Sequence, residues 1–459
     1  MKGEPILRSI HEGSLEKGYQ KGIREYLKNY SRSIVILDDD PTGTQTVQNI
    51  PVLTNWSKQL LENELLQSPV FFVLTNSRAL QKEEAEDLAM TIGSRLKTLA
   101  IKHGKKLVVV SRSDSTLRGH YPYEVEVLGK ALGLNKAKHA LIPAFFEGGR
   151  YTFKDVHYVQ QKSNFIPAAQ TPFAKDSTFG YSHSNLRDYV LEKYAGKLEP
   201  DNITSVTINT LRSGSISNQL NEMIERHHCL IVNATSYVDL EAFALAALKS
   251  HKNLLYRTAA SFINAITGSR PAPLLEKKDF ESSKKVGALV VIGSYVPKTT
   301  AQLNFLKEQY YAAYLEFDVD TVFGASKLQQ IVGKTAKTID EFLRNGRNVV
   351  LYTSRKLKKG STTEESLAIV NIVSDAVTSL IKSIVVQPRF ILAKGGITSS
   401  HIAVKALNIQ RAKVLGQLIK GVPVWQADGH SKFPAIPYVI FPGNVGGDKD
   451  LFKALKKLE

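Results

Sequence analysis

Short apolar runs recur along this chain, each emptying into glycine, hydroxyl or charged positions and each separated from the next by helical spacing. In the N-terminal half they fall at 33–37, 70–74, 107–110, 140–142 and 230–232. Runs this short and this rich in Val, Ile, Leu and Phe predict buried strands. Between them, 80–102 and 120–133 carry apolar residues at helical intervals and predict helices. Strand alternating with helix predicts a parallel α/β sheet. A second alternating series has strand candidates at 288–292, 349–352, 389–393 and 438–441, and no internal repeat relates the two. The stretch Thr267-Gly268-Ser269-Arg270-Pro271-Ala272-Pro273, with the charged residues that follow, reads as a linker.

The fold class predicted is therefore α/β, with two domains, each a mainly parallel sheet flanked by helices. The expected boundaries are an N-terminal arm at 1–30, a first domain at 31–267, a linker at 268–285 and a second domain at 286–459. The length of 459 residues agrees, being too great for one ordinary core. Hydrophobic content of 43% and charged content of 22% describe a globular chain rather than a disordered one. No apolar run approaches the roughly 20 residues that span a bilayer. Residues 1–22 lack the apolar region of a secretory signal. The single cysteine, Cys229, excludes an internal disulfide framework and any zinc site built on several cysteines. A cytoplasmic compartment is the expectation.

The net charge of +17 comes from 60 Lys+Arg against 43 Asp+Glu. Basic pairs stand at Lys277-Lys278, Lys284-Lys285 and Lys456-Lys457, and the densest cluster is Arg355-Lys356-Leu357-Lys358-Lys359. No basic tract is interleaved with aromatics, so a solvated basic surface serving small anions fits better than a nucleic-acid groove.

Ligands of open α/β sheets bind beyond the carboxyl ends of the strands, so the residues after each run belong together. The first run delivers Asp38, Asp39, Asp40, Thr42 and Gly43; the second delivers Thr75, Asn76, Ser77 and Arg78. The third is followed by Arg112-Ser113-Asp114-Ser115-Thr116-Leu117-Arg118-Gly119, and the fourth by Pro143-Ala144-Phe145-Phe146-Glu147-Gly148-Gly149-Arg150. Carboxylates, hydroxyls and arginines gathered there suit a polyhydroxylated acid, with arginine forks on its carboxylate and polar groups on its hydroxyls. In the second series, Gly293-Ser294, Gly395-Gly396-Ile397-Thr398 and Gly443-Asn444 follow strands. Glycine turns at strand ends let the backbone approach phosphates, which points to a nucleotide. Neither the Walker sequence nor the Rossmann glycine fingerprint is present. An acid patch in one half and an anion cradle in the other predict an active site in the interdomain cleft.

These motifs, in this order, resemble those of the four-carbon acid sugar kinases, which phosphorylate 3-oxo-tetronate, threonate or erythronate with ATP. The similarity runs from about residue 33 to the end. It rests on Asp39-Asp40-Pro41-Thr42-Gly43, the Asp114-to-Gly119 loop, Pro143 to Arg150, Gly293-Ser294, Gly395 to Ser399 and Gly443 to Gly446. The chain departs from the family pattern at Arg112, where a lysine is expected, at Phe146, where a proline is common, and at Ile397, where some members are acidic. The resemblance implies that the first domain binds the sugar acid and the second binds ATP. Ser294, Gly395, Gly396, Ile397, Thr398, Gly443 and Asn444 would then meet the nucleotide. Phosphoryl transfer would use Mg²⁺, whose protein ligands are unassigned. Asp39 is the expected catalytic residue, with Asp40 or Asp38 next. Thr42, Gly43, Arg78, Asp114, Ser115, Arg118 and Arg150 are the expected substrate contacts. His157 reads as a structural histidine or as support for the site. The partners expected are a sugar acid and ATP, with no nucleic acid or membrane, and a homo-oligomer is compatible.

Two rivals come from other classes. Asp38-x-Asp40-x-Thr42, with Thr75 after the next strand, also resembles the nucleophile loop of haloacid dehalogenase-type phosphatases. That reading lacks a later acidic pair for Mg²⁺ and leaves the second domain idle. A non-catalytic nucleotide or metabolite binder is the other, and the intact aspartates speak against it.

Overall fold

The computed structural model describes residues 4–12, 18–30, 32–134, 138–280, 285–323, 325–355 and 363–459. Lys284, Lys356, Lys358 and Lys359, from the basic clusters noted above, lie outside the described residues, as do parts of the N-terminal arm. The chain divides into two units. One comprises 1–47 and 55–271, the other 48–54 and 272–459.

Strands buried on both faces need an apolar residue at every position, and the first unit is built on such strands. Ile34, Val35 and Ile36 are fully buried, as are Phe71, Phe72 and Val73 beside them. Seven parallel strands of the described residues lie in the order Val70–Leu74, Arg32–Asp38, Lys106–Arg112, Leu255–Thr258, His139–Ile142, Cys229–Val232 and Ile203–Val206. The predicted helices appear as Lys82–Lys102 and Tyr123–Leu132, the first opened by a capping box of Gln81 and Glu84. Three further strands, Arg150–Phe153, Val156–Gln161 and Asn164–Pro167, form a small antiparallel sheet. Helices Glu4–Glu12 and Tyr19–Asn29 make up the described part of the arm. Ile6 packs with Tyr151 and Phe165, and Ile23 is wholly buried, so the arm is part of this unit's core.

Two strands here were not anticipated. Leu255–Thr258 and Ile203–Val206 carry Arg257 and Thr204-Ser205 within four-residue stretches, which breaks the apolar pattern. The first of them is nevertheless central, paired on both sides.

In the second unit the order is Ala313–Phe317, Val349–Thr353, Leu289–Ile292, Ile391–Lys394, Pro437–Phe441, Val422–Ala427, Arg411–Ile419 and Pro51–Leu53. The first five are parallel, and the last three continue the sheet antiparallel. Pro51–Leu53 comes from the segment 48–54, so this unit's last strand is supplied by a distant part of the chain. Pro297 opens helix Pro297–Gln309 at its first turn, where a missing N–H costs nothing. After strand Ile391–Lys394 the glycine turn passes directly into helix Gly396–His401. In both units the parallel strands end on one edge of their sheet, and those ends carry the motifs.

Candidate active site

The strand Arg32–Asp38 runs directly into the aspartate cluster, so the three carboxylates stand at different depths. Asp38 is sealed: 1% exposed, with Arg112 Nη1 at 3.2 Å from its Oδ1. A Cβ on Gly43 would lie 1.9 Å from Asp38 Oδ2, so only glycine fits against this carboxylate. Burial pushes the Asp38 pKa up to about 7 against the pull of Arg112. Asp39 is also buried and accepts a hydrogen bond from Ser113 Oγ at 2.5 Å. Its Oδ1 has no hydrogen-bond partner, and Arg78 lies 3.8 Å away. Burial raises its pKa too, with Arg78 and Arg257 opposing. Asp40 reaches further out and caps the turn Pro41–Thr44, accepting from Thr42 N at 2.8 Å and Thr42 Oγ1 at 2.5 Å. Burial would raise its pKa as well, but the ion pair with Arg78 and the Thr42 hydrogen bonds hold it below the usual range.

The raised Asp38 gives a pH prediction. The folded state keeps a proton that the unfolded chain releases, so this residue lowers stability as pH rises from about 4 to about 7, by roughly 4 kcal/mol at most. Asp38→Asn cannot titrate there. Its stability relative to the natural protein is expected to improve between pH 5 and pH 8 in urea unfolding; a pH-independent difference would show that Asp38 is ionised throughout.

The loop from Ser113 to Gly119 is held from outside. His157 Nε2 donates to Ser115 O at 2.8 Å, and Tyr189 donates to Leu117 O at 2.9 Å. His157 is wholly buried with its pKa lowered by burial to about 4, so it is a neutral strut supporting the loop. Leu117, at φ 69°, is in left-handed backbone, which such contacts must hold in place. Asp114 accepts from Thr116 N and from Arg118 Nε at 2.9 Å and faces Arg78 Nη1 at 3.4 Å. Against burial, those two arginines keep its carboxyl strongly ionised.

The expected arginines have different surroundings. Arg78 sits among Asp39, Asp40 and Asp114 and neutralises them. Arg118 pairs with Asp114, and its guanidinium also lies over Phe173 at 5.2 Å. Arg150 approaches the same ring, at 5.7 Å, and has no carboxylate partner among the described residues. Its side chain donates to Gly148 O, its Nε is buried without a partner, and burial lowers its pKa. Two guanidinium groups sharing one aromatic ring, one of them without an ion-pair partner among the described residues, make a fitting receptor for a carboxylate. Phe173 was invisible to motif reading, since it follows no core strand. Arg257 was missed with its strand. It bonds Ser111 at 2.9 Å and Glu124 at 3.0 Å beneath the cluster.

In the second unit the strand ends enclose a cavity of about 340 Å³. Ser294, Gly395, Gly396, Ile397, Thr398, Gly443 and Asn444 all line it. The turns pack without room for side chains: a Cβ on Gly293 would be 2.1 Å from Thr398 Oγ1, and one on Gly443 would be 2.5 Å from Ser294 Oγ. Gly396, by contrast, faces open space. Thr299 Oγ1 donates to Gly443 O at 2.9 Å, and Lys394 Nζ donates to Pro442 O at 3.1 Å, tying the turns together. The opposite wall is apolar. Helix Thr363–Ser383 presents Ile369, Val370, Val373 and Val377 at helical spacing. That wall was not anticipated, although its spacing is legible in the sequence. Polar turns facing an aliphatic wall suit a ligand with phosphates at one end and a flat base at the other.

Comparison with known proteins bears on both units. The sugar-binding N-terminal domain family matches residues 34–266, and the nucleotide-binding C-terminal domain family matches residues 289–451. No curated protein matches the chain in sequence. Among solved structures, it is similar to Haemophilus influenzae protein HI1011 of the DUF1537 family, at TM-score 0.63 and 16% identity over 93% of this chain and 100% of that one. A Salmonella typhimurium LT2 protein bearing a provisional tRNA synthase name is similar at TM-score 0.67 and 16% identity, with the same coverage. Both likenesses concern the fold alone. The first family match spans just over half of the 459 residues and the second most of what remains. The chain therefore belongs to the family that joins a sugar-binding N-terminal domain to a nucleotide-binding C-terminal domain, a pairing that fits the four-carbon acid sugar kinases.

Proposed function

We propose that this protein is an ATP-dependent kinase that transfers the γ-phosphoryl group to a hydroxyl of a small sugar acid, four-carbon by its family resemblance. The observation that supports this most is the second unit's cavity, whose polar rim consists of the glycine turns and whose far wall is aliphatic. The first unit supplies the acceptor chemistry. Arg118 and Arg150 grip the acid's carboxylate beside Phe173, while Asp40, Thr42, Asp114 and Ser115 read its hydroxyls. Arg78 offsets the charge of the aspartates around it.

Asp39 is the proposed base. Its pKa is raised and its Oδ1 is uncommitted; Asp38 shares both features and nearly the same burial, but it packs against Gly43 and pairs with Arg112, and Asp40 is paired with Arg78. The acceptor hydroxyl gives its proton to Asp39, a bond forms between its oxygen and the γ-phosphorus, and the bond from that phosphorus to the β-bridging oxygen breaks to release ADP. Positioning and charge neutralisation carry most of the catalysis in such a transfer. Adenine would lie against Ile369, Val370, Val373 and Val377, with its phosphates at Gly395, Gly396, Thr398 and Gly443. None of the described residues lining the cavity is acidic, so these residues fit Mg²⁺ only as an ion held by the nucleotide's own phosphates, where it would supply charge neutralisation. The sealed Asp38 argues against an aspartyl phosphatase, since that nucleophile must reach a phosphorus in line.

The test is ATP consumption with Mg²⁺ against a panel of tetronates, 3-oxo-tetronates and neighbouring sugar acids. One acid is expected to stimulate ADP formation with a phosphorylated product, and Arg150→Met is expected to raise its KM more than it lowers kcat. Phosphate released from a phosphoester, with no acid stimulating ATP use, would overturn the reading.

A further inference from the structure

The amino ends of the first unit's strands carry a second cluster that the phosphoryl chemistry does not use. Glu126 comes from helix Tyr123–Leu132, His139 begins strand His139–Ile142, and His228 directly precedes strand Cys229–Val232. One ligand atom from each lies within 4.8 Å of the other two. We infer that Glu126, His139 and His228 form a binding site for a Zn²⁺-type divalent ion, which ties this helix to two strands at the end of the sheet opposite the aspartate cluster.

Three observations carry this. First, the donors are two imidazoles and a carboxylate, a set that suits borderline transition metals rather than Mg²⁺ or Ca²⁺. Second, the rings are held at a suitable separation. The centroids of His139 and His228 are 5.4 Å apart with planes at 83°. Two imidazoles on one tetrahedral zinc, with Zn–N of about 2.0–2.1 Å, bring their centroids to roughly 5 Å. The backbone bond from His139 N to His228 O, at 3.0 Å, fixes the two residues side by side. Third, tyrosine hydroxyls hold the three side chains together. The Tyr121 hydroxyl stands 2.8 Å from His139 Nε2. Tyr194 donates to Glu126 Oε1 at 2.5 Å, and its hydroxyl is 2.9 Å from His228 Nε2, so an ion entering between those two atoms takes the place of the Tyr194 hydroxyl.

His228 Nε2 and Glu126 Oε1 are already 2.8 Å apart, so binding requires them to part by only a few tenths of an ångström. His139 is wholly buried while His228 and Glu126 are partly open, which gives an ion a way in.

The experiment uses the full-length protein, stripped with a chelator and returned to metal-free buffer. Calorimetric titration with Zn²⁺ and the visible spectrum on adding Co²⁺ are the readouts. One equivalent of Zn²⁺ per chain is expected, with a four-coordinate Co²⁺ spectrum and a rise in Tm. Glu126→Gln and His228→Gln, both at the open side of the cluster, should each weaken Zn²⁺ binding at least tenfold and abolish the Co²⁺ bands. Absence of binding to the natural protein would overturn the inference, as would variants that bind as well as it does. The buried position of His139 puts folding at risk in His139→Gln, so the two variants at the open side decide the matter.

Discussion

Asp39→Asn is expected to slow acid-stimulated ATP turnover by roughly 10²–10⁴-fold, the range for losing a general base. The change keeps the side chain's shape and lets Ser113 Oγ, at 2.5 Å, retain a hydrogen-bond partner. What it removes is a buried carboxylate whose burial raises its pKa and so favours taking up a proton. The proposed nucleotide site is the second unit's cavity, so on that proposal the ATP dissociation constant should not move. Initial-rate kinetics and calorimetry on the same preparation separate the two effects. Retained turnover would remove Asp39 from the chemistry and leave Asp40, nearer to solvent, as the base to test next.

The second large effect is expected at Gly293→Ala. The new methyl would meet Thr398 Oγ1 at 2.1 Å and Thr398 Cβ at 3.1 Å, so rotating the side chain does not relieve the whole clash. Overpacking of this kind costs about 1–3 kcal/mol. Because Thr398 lines the cavity, that cost falls on the nucleotide cradle, and ATP binding should weaken roughly ten- to hundred-fold. Thr398→Ala removes the hydroxyl and methyl and leaves only the Cβ contact at 3.1 Å, so the double variant should bind better than Gly293→Ala alone, as contacting positions that share one defect do. Additive losses would mean that the two residues act separately. Asp38→Asn and Arg150→Met, in the other unit, should leave this binding unchanged.

Much of this was legible in the sequence because parallel strands declare themselves twice, by an apolar run and by the polar residues that follow it. Asp38 to Gly43 and Gly395 to Thr398 were both found that way. What escaped were elements whose signal is non-local. Leu255–Thr258 is only four residues long and contains Arg257, which looks like an interruption until Ser111 and Glu124 are seen beside it. Pro51–Leu53 is three residues, and no pattern within it tells which sheet it joins. Phe173 gains its place from a short turn, Pro172–Lys175, outside any strand–helix alternation. The arginines show a different limit: residue type revealed positive charge at Arg78 and Arg150 alike, but only the spatial neighbours show that the first is ion-paired with aspartates while the second has no close ion pair among the described residues.

The strand Pro51–Leu53 bears on how this protein can be dissected. Arg411–Lys413 pairs with it, and the pairing is flanked by backbone bonds from Asn49 N to Val414 O at 2.8 Å and from Thr54 N to Gln410 O at 3.0 Å. A fragment beginning at Ala272 would bare that strand's N–H and C=O groups, an open template for association with other chains. Severing the linker therefore does not yield two autonomous modules. Faithful recombinant expression of the nucleotide-binding half, or its exchange between relatives, has to carry residues 48–54 as well, by circular permutation or by a supplied peptide.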